Sequence, residues 1–222
     1  MSARPPLRLA VLISGRGTNM TAIARACQAG AIDARVELVI SDNAAAGGLA
    51  SARELGIATT TVLRDPTDDR AAFEQVLAAA IDAQHPDVIA LAGFMRILSP
   101  VFAARYSGRM LNIHPSILPA YRGLHTHRRV LEHDEAWHGA SVHFVTAELD
   151  GGPVILQSRV PVQAHDTEES LSARVQATEY LIYPRVLGWF AQGRLAWQDG
   201  AAWLDGRRLD QPLVEDFRDP TH

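Results

Sequence analysis

Continuous apolar runs alternate with helically spaced apolar positions along the first half of the chain. The run Leu9–Ile13 is apolar throughout, as expected of a strand that is buried on both faces of a sheet. In the segment that follows, residues 18–29, the apolar positions recur with the period of a helix. The same alternation predicts strands at 36–40, 58–63, 87–91 and 110–114 and helices at 44–55, 69–83 and from Ser99 onward. This order predicts an α/β fold whose mostly parallel sheet is flanked by helices.

The second half of the chain departs from this alternation. Its predicted elements are, in order, a loop at 115–126, strands at 141–145 and 154–162, a helix from about 166 to 191 and a hairpin built from 194–197 and 202–204. Pro184 lies inside the long helix and predicts a kink or a break there, because proline lacks the backbone N–H that a helix needs. Strands joined by short connections pair in antiparallel fashion. We therefore expect a Rossmann-like domain with an antiparallel C-terminal portion.

Length and composition predict a single globular domain. The chain has 222 residues, of which 47% are hydrophobic and 21% charged, and these fractions are close to globular averages. They exclude disorder, collagen-like repeats and a disulfide scaffold. No linker divides the sequence, so we expect one domain over 1–222, with a core at about 8–206 and a loose tail at 207–222.

Charge, apolar run length and cysteine content restrict the location and the partners. The formal net charge of −4 argues against a general nucleic-acid-binding role, which requires a basic face. The apolar stretches are too short for a signal peptide or a membrane span. The single cysteine, Cys27, cannot form an internal disulfide and suits a reducing compartment. We therefore expect a cytoplasmic protein that binds neither nucleic acid nor membrane.

A glycine loop, Ser14–Asn19, lies between the first strand and the first helix. Glycines allow a ligand to approach the backbone closely, and a helix N-terminus offers free N–H groups to a phosphate. The third glycine of a dinucleotide fingerprint is replaced by Met20, and a Walker A lysine is missing. The loop therefore favours a single phosphate, with a tight turn that binds nothing as the alternative. Asp42 could imitate a ribose-binding acid, but the incomplete fingerprint makes this the weaker interpretation.

Asn112 and His114 lie at the predicted C-terminal end of the fifth strand. Their spacing of two residues places both side chains on one side of that strand. Ligands of open α/β sheets bind beyond the carboxyl ends of the strands. An amide donor beside an imidazole suits a site that stabilises an oxyanion and transfers a proton. A lone Asn or His is more often structural, and the position of this pair favours chemistry.

Four segments resemble the phosphoribosylglycinamide formyltransferases, a family of folate-dependent enzymes of purine synthesis. They are 13–19, 92–98, 111–119 and 148–153, in the order and at the spacing of that family. The similarity extends from about Leu9 to Gly206. The Asn-x-His-Pro and Leu-Asp-Gly-Gly motifs also occur in other formyl-folate enzymes, whereas the glycine loop and Gly123–His127 are more particular to this family.

The resemblance implies a reaction and a set of catalytic residues. The amine of glycinamide ribonucleotide would attack the formyl carbon of 10-formyltetrahydrofolate through a tetrahedral intermediate. Asn112, His114 and Asp150 match the catalytic trio of the family. Asn112 would donate its amide N–H to the oxyanion, His114 would add charge and move a proton, and Asp150 would carry the amine proton through water.

The resemblance also implies binding residues for two small-molecule substrates and no metal. The residues that match the ribonucleotide site are Gly17, Thr18, Asn19, Gln176 and Glu179. The residues that match the folate site are Arg70, Met95, Arg96, Ile97, Leu98 and Asn112. Backbone groups of residues 95–98, the folate segment, would contact the pterin. Arg70 would meet the glutamate carboxylate of the folate. The assembly that we consider is a homodimer.

Several positions differ from the family pattern or invite another interpretation. Arg16 stands where a small polar residue is common, and Ala120 and Arg122 replace an expected lysine and a frequent proline. These changes affect the loop shape and the charge of the pocket, not the reaction. The remaining histidines lack the spacing of a metal site and are more often structural. Among them, His143 is a candidate to contact the catalytic residues without contacting the substrate.

Three functions are weighed. Formyl transfer to the amine of a phosphoribosyl substrate is favoured. A formyltetrahydrofolate deformylase or another formyl-folate transferase is the alternative, and the short segments outside the core disfavour it, because such enzymes normally carry a further N-terminal or basic C-terminal domain. A nucleotide-binding module without catalysis has no need of an oxyanion donor beside a titratable partner.

Overall fold

The computed structural model describes residues 5–64 and 69–218. The strands are β1 Leu7–Ile13, β2 Ala34–Ser41, β3 Ala58–Thr61, β4 Val88–Leu91, β5 Met110–His114, β6 Trp137–Phe144, β7 Val154–Pro161, β8 Leu195–Gln198, β9 Ala201–Leu204, β10 Arg207–Arg208 and β11 Leu213–Asp216. The helices are α1 Thr18–Gln28, α2 Gly47–Glu54, α3 Arg70–Asp82, α4 Pro100–Arg105, α5 Thr126–Glu132 and α6 Glu168–Ala191.

Eight of these strands form one sheet in the order β11-β7-β6-β5-β4-β1-β2-β3. The strands from β5 to β3 pair in parallel, whereas β6 is antiparallel to both β5 and β7. The three short strands β8, β9 and β10 form a separate antiparallel sheet. The prediction of a mostly parallel α/β sheet with an antiparallel C-terminal portion is confirmed.

Helices cover both faces of the large sheet. Adjacent residues of β1, Val11 and Leu12, are fully buried in two different hydrophobic clusters, because successive strand side chains point to opposite faces. The cluster on the first face includes Met20 of α1 and Tyr183 of α6, and that on the second includes Phe73 of α3. This layering leaves the carboxyl ends of β1, β4 and β5 together at one edge, where the glycine loop begins.

Two helical features differ from the sequence expectation. Helix α6 continues through Pro184 without a break. Its neighbours Tyr183, Val186 and Leu187 are fully buried, and this packing offsets the cost of about 3 kcal/mol for an interior proline. The second difference is α5, at the end of the predicted 115–126 loop and beyond it, which the sequence analysis did not predict because so short a helix shows little periodicity.

The loose tail predicted for residues 207–222 is wrong for the part that the structure describes. Strand β10 pairs with β9, and β11 extends the large sheet by pairing in parallel with β7. Asp216 of β11 accepts a hydrogen bond of 2.8 Å from Arg159 of β7, and Glu215 forms an ion pair with Arg185 of α6. Backbone pairing to an open sheet edge has no signature in the residue pattern, so the sequence did not predict it. Residues 219–222 lie outside the described part.

No helix of the described residues is both long and apolar enough to cross a membrane.

Candidate active site

A cavity of about 760 Å³ opens at the carboxyl edge of the sheet. Its volume is typical of small-molecule sites. It is bounded by the glycine loop, by the segment that follows β4 and by the end of β5. Parts of the loop before β6 and of the loop between β6 and β7 complete the boundary. Helix α6 contributes Glu168, Ser172, Gln176 and Glu179 to the lining. The cavity therefore brings together residues from distant parts of the sequence.

Asn112 and His114 reach this cavity from β5, as their spacing predicts. The amide nitrogen Nδ2 of Asn112 lies 3.1 Å from Nε2 of His143, which occupies the facing position on β6. His143 is buried, and its Nδ1 lies 2.8 Å from the carbonyl oxygen of Phe144. Burial lowers the pKa of His143 to about 4. The ring is therefore neutral at pH 7, with its proton on Nδ1, and its Nε2 accepts a hydrogen bond from Asn112.

His114 and Asp150 meet across the cavity floor. Nδ1 of His114 lies 3.5 Å from Oδ2 of Asp150, and both side chains are only 8% exposed. Nε2 of His114 lies 3.0 Å from the carbonyl oxygen of Tyr121, to which it donates. The backbone N–H of Gly123 donates to Oδ2 of Asp150 at 2.9 Å. These contacts leave Nδ1 as the His114 nitrogen that faces the carboxylate.

Asp150 also approaches His143, with 3.8 Å between Oδ1 and Nε2. Its backbone has a φ of +48°, a left-handed conformation that Asp tolerates better than most residues. The carboxylate thus lies near both imidazoles and close to Asn112. An amide N–H, an imidazole and a carboxylate within one buried group can stabilise an oxyanion and transfer a proton. His143 lies behind Asn112 and does not line the cavity.

The glycine loop is held by contact with the start of α2. Gly17 has a φ of +72°, and a Cβ at this position would lie 2.7 Å from Cα of Gly48. The N–H of Gly48 donates to the carbonyl oxygen of Gly15 at 3.0 Å. No side chain of the described residues caps the N-terminus of α1. Its first N–H groups are therefore available to an anion in the cavity.

The predicted ribonucleotide residues on α1 and α6 contact each other directly. Nδ2 of Asn19 donates to Oε2 of Glu179 at 2.7 Å, and Nε2 of Gln176 donates to Oγ1 of Thr18 at 3.2 Å. Burial raises the pKa of Glu179. Oδ1 of Asn19 is buried and has no hydrogen-bond partner in the described part of the chain. These hydrogen bonds tie α1 to α6 on this side of the cavity.

The predicted folate residues are only partly brought together. Met95, Arg96 and Ile97 line the cavity, whereas Leu98 packs into the core and Arg70 lies outside the lining. One guanidinium nitrogen of Arg70 donates to the carbonyl oxygen of Ile97 at 2.6 Å, so it adjoins this segment. The N–H of Met95 already donates to Oγ of Ser14 at 2.8 Å.

Asp42 does not line the main cavity. Its Oδ2 accepts a hydrogen bond of 2.6 Å from Nε of Arg96, and the pair lines a second, adjoining cavity of about 660 Å³. The residue considered as a ribose-binding acid therefore pairs with an arginine of the folate segment instead.

Several residues that line the cavity have no site role predicted from the sequence. They include Leu124, His125, Thr126, His127, Leu149, Glu168 and Ser172. The Gly123–His127 motif contained a signal, since it is particular to the resembling family. The spacing of Glu168 and Ser172 from Gln176 contained another, because steps of four residues share one face of a helix.

No group of three or more His, Cys, Asp or Glu side chains within residues 5–64 and 69–218 is placed to hold a metal ion. His127 and His138 form a pair, with 2.9 Å between Nδ1 and Nε2. His138 is buried and His127 is half-buried, and burial lowers the pKa of His138 to about 3. The pair is a hydrogen-bonded contact between α5 and β6.

The chain is similar to known formyltransferases over most of its length. The family described as formyl transferase matches residues 7–187. The phosphoribosylglycinamide formyltransferase of Escherichia coli (strain K12) is 56% identical over 203 residues, which cover 91% of this chain and 96% of the relative. That of Haemophilus influenzae is 43% identical over 202 residues, covering 91% and 95%. The solved structure of the Coxiella burnetii phosphoribosylglycinamide formyltransferase has a TM-score of 0.90 at 47% identity and covers 94% of this chain and 99% of that one.

Proposed function

The chain belongs to the formyl transferase family, and we propose that it transfers the formyl group of 10-formyltetrahydrofolate to the amine of glycinamide ribonucleotide. A bond forms between the amine nitrogen and the formyl carbon, and the bond from that carbon to N10 of the folate breaks. One proton leaves the amine and one reaches N10. The products are formylglycinamide ribonucleotide and tetrahydrofolate, in the synthesis of purines.

Asn112 stabilises the negative charge that develops on the formyl oxygen. One of its amide hydrogens is used by His143, and the second is free to point into the cavity. A neutral, buried His143 supports this orientation, because it presents an acceptor and no competing proton. An oxyanion donor of this kind contributes about 10²–10³ in kcat.

His114 and Asp150 move the proton. The Tyr121 carbonyl holds Nε2 of His114, which leaves Nδ1 directed to the Asp150 side of the cavity. A separation of 3.5 Å between Nδ1 and Oδ2 allows the two groups to act on the same intermediate. Asp150 accepts the amine proton through water, and His114 adds positive charge beside the oxyanion.

The ribonucleotide occupies the side of the cavity formed by α1 and α6. Its phosphate contacts the N–H groups at Gly17, Thr18 and Asn19, where the helix N-terminus favours an anion. Gln176 and Glu179 contact Thr18 and Asn19 of this loop and bind the ribose or the glycinamide.

The formyl folate occupies the side formed by Met95, Arg96 and Ile97. The side chains of Met95 and Ile97 are about 60% exposed (64% and 59%), so they offer apolar surface to a flat ring. Arg70 lies next to the outer end of this segment, where it can meet a glutamate carboxylate. These residues fit the folate donor, which supplies the formyl carbon, and the proposal requires no metal.

The juxtaposition of Asn112, His114 and Asp150 beside the glycine loop carries this proposal. A passive binding module would not need these groups. The test combines purified protein with both substrates and measures tetrahydrofolate. It should form only when glycinamide ribonucleotide is present, and Asn112→Ala should abolish most of the rate. Release of formate without the ribonucleotide would instead identify a deformylase.

Location and assembly belong to the same proposal. A cytoplasmic location agrees with the single cysteine and the nature of both substrates. The homodimer remains a prediction, and sedimentation of the purified protein at several concentrations tests it.

A further inference from the structure

We infer that Arg16 is a phosphate-binding residue that sets the affinity for the ribonucleotide in this chain. Arg16 lies in the glycine loop, is exposed, and lines the cavity together with Gly17 and Thr18. The inference rests on the proposed function, because it assigns a residue to the phosphate of that substrate. It goes further, since backbone groups alone would otherwise hold the phosphate.

The backbone on both sides of Arg16 is fixed. On one side, the carbonyl oxygen of Gly15 accepts a hydrogen bond of 3.0 Å from Gly48. On the other, Gly17 packs so closely on Gly48 that a Cβ would lie 2.7 Å from its Cα. The Arg16 side chain therefore extends from a backbone position that is fixed at the N-terminus of α1. A group held in this way loses less conformational entropy when it binds an anion than one on a mobile loop does.

Of the described arginines that line the cavity, Arg16 is the one that is free to bind the phosphate. Two arginines of the described part of the chain line it, and the second, Arg96, is already paired with Asp42 at 2.6 Å. Within residues 5–64 and 69–218 Arg16 makes no ion pair and no side-chain hydrogen bond. Among the described residues, the cavity lining also includes three acidic side chains, of Asp150, Glu168 and Glu179. The negative charge of these side chains therefore disfavours the entry of an anionic ligand.

A phosphate monoester needs more charge than the loop backbone supplies. It carries about −1.5 to −2 at neutral pH, whereas a helix N-terminus is equivalent to about +0.5. A guanidinium adds a full positive charge and can form two parallel hydrogen bonds to phosphate oxygens. The net charge of −4 means that the protein as a whole does not attract anions. A local cation at the phosphate end of the cavity supplies that attraction.

Steady-state kinetics of the full-length protein test this assignment. We expect Arg16→Ala to raise KM for glycinamide ribonucleotide about five- to twenty-fold, as for a partly exposed charged contact, with kcat within about two-fold. KM for the formyl donor should not change. Arg16→Lys should restore part of the affinity, because it keeps the charge but loses the planar fork. Inorganic phosphate should inhibit the wild type competitively and Arg16→Ala more weakly.

Arg25→Ala is the matched control. Arg25 lies in the last turn of the same helix, is exposed and does not line the cavity, so its loss changes the net charge equally. It should leave KM unchanged. The dephosphorylated riboside of the substrate is a second control, and it should react equally with the wild type and Arg16→Ala.

Each outcome separates the two proposals. If the wild type does not form tetrahydrofolate from both substrates, the proposed function fails. If the wild type is active and Arg16→Ala has the same KM and the same phosphate inhibition, the Arg16 assignment alone is overturned. Equal effects of Arg16→Ala and Arg25→Ala would also overturn it, because they would show a general charge effect. Thermal unfolding of each variant confirms that the fold is intact.

Discussion

The imidazole of His143 fixes the orientation of the Asn112 amide. Nε2 of His143 lies 3.1 Å from Nδ2 of Asn112, and the proton of the ring is engaged by the Phe144 carbonyl at 2.8 Å. Because the pKa of His143 is lowered to about 4, this arrangement persists throughout the neutral range. The amide oxygen and nitrogen of Asn112 cannot exchange places without losing this hydrogen bond.

Removal of this acceptor should lower the rate without abolishing it. We expect His143→Leu to reduce kcat about ten-fold, because the Asn112 amide then rotates. Asn112→Ala should reduce kcat by a factor of about 10²–10³. His143→Gln should restore part of the rate, since its side chain can accept the same hydrogen bond. In the double variant, His143→Leu should add little to Asn112→Ala. A further ten-fold loss of kcat in the double variant, relative to Asn112→Ala, would mean that His143 acts independently of Asn112.

The close contact of Gly17 with Gly48 should appear in both stability and substrate affinity. Gly30 is the matched control, because its φ is also +72° but a Cβ there meets nothing within 4 Å. An alanine at either position should cost about 1–2 kcal/mol of unfolding free energy for the left-handed backbone. Gly17→Ala should cost more than Gly30→Ala, since its Cβ would lie 2.7 Å from the Gly48 backbone.

Denaturant unfolding and the KM for glycinamide ribonucleotide measure these two effects. Only Gly17→Ala should raise KM, because only that loop faces the cavity. Equal losses of unfolding free energy in the two variants would show that the loop shifts away from Gly48 without cost.

The parts of the fold that the sequence predicts are those with strong local signals. The buried run of β1 and the proline after Ser99 each specify an element from adjacent residues. The strand β11 is different: its residues Leu213 and Val214 stay exposed, and it is held by backbone pairing to β7 and by ion pairs. Such an element depends on an edge that exists only after the rest of the sheet has formed.

The candidate site shows the same division. The two-residue spacing of Asn112 and His114 places both at the cavity, as the strand period requires. The approach of Asp150, 3.5 Å from His114, required either the resemblance or the structure, because 36 residues separate the two in sequence. The pairing of Asp42 with Arg96 could not be predicted at all, since it depends on where two loops meet.

His114 and Asp150 should behave as one unit in kinetics. Each single substitution to alanine should lower kcat strongly, and the double variant should be little worse than the more damaging single one, because both groups act on the same tetrahedral intermediate. Tetrahydrofolate formation under saturating substrates measures the three rates. Effects that multiply in the double variant would assign the two residues to separate steps.

The buried histidines should make the fold sensitive to mild acid. Burial lowers the pKa of His138 to about 3 and that of His143 to about 4, whereas an unfolded histidine binds a proton near pH 6.5. Below that pH the unfolded state therefore binds more protons than the folded state. The unfolding free energy should be nearly constant above about pH 7.5 and should fall below pH 6.5, by up to about 1.4 kcal/mol per pH unit for each ring.

Chemical denaturation between pH 8 and pH 5 measures this slope, and two variants assign it. Burial also lowers the pKa of His127. His138→Gln removes one of these protonation sites, so its slope below pH 6.5 should be smaller than that of the wild type by up to about one proton, or about 1.4 kcal/mol per pH unit. His165→Gln is the control, because His165 is exposed on the segment before α6, and its slope should equal that of the wild type. An unfolding free energy that stays constant from pH 8 to pH 5 would show that these rings accept protons in the folded protein as readily as in the unfolded chain.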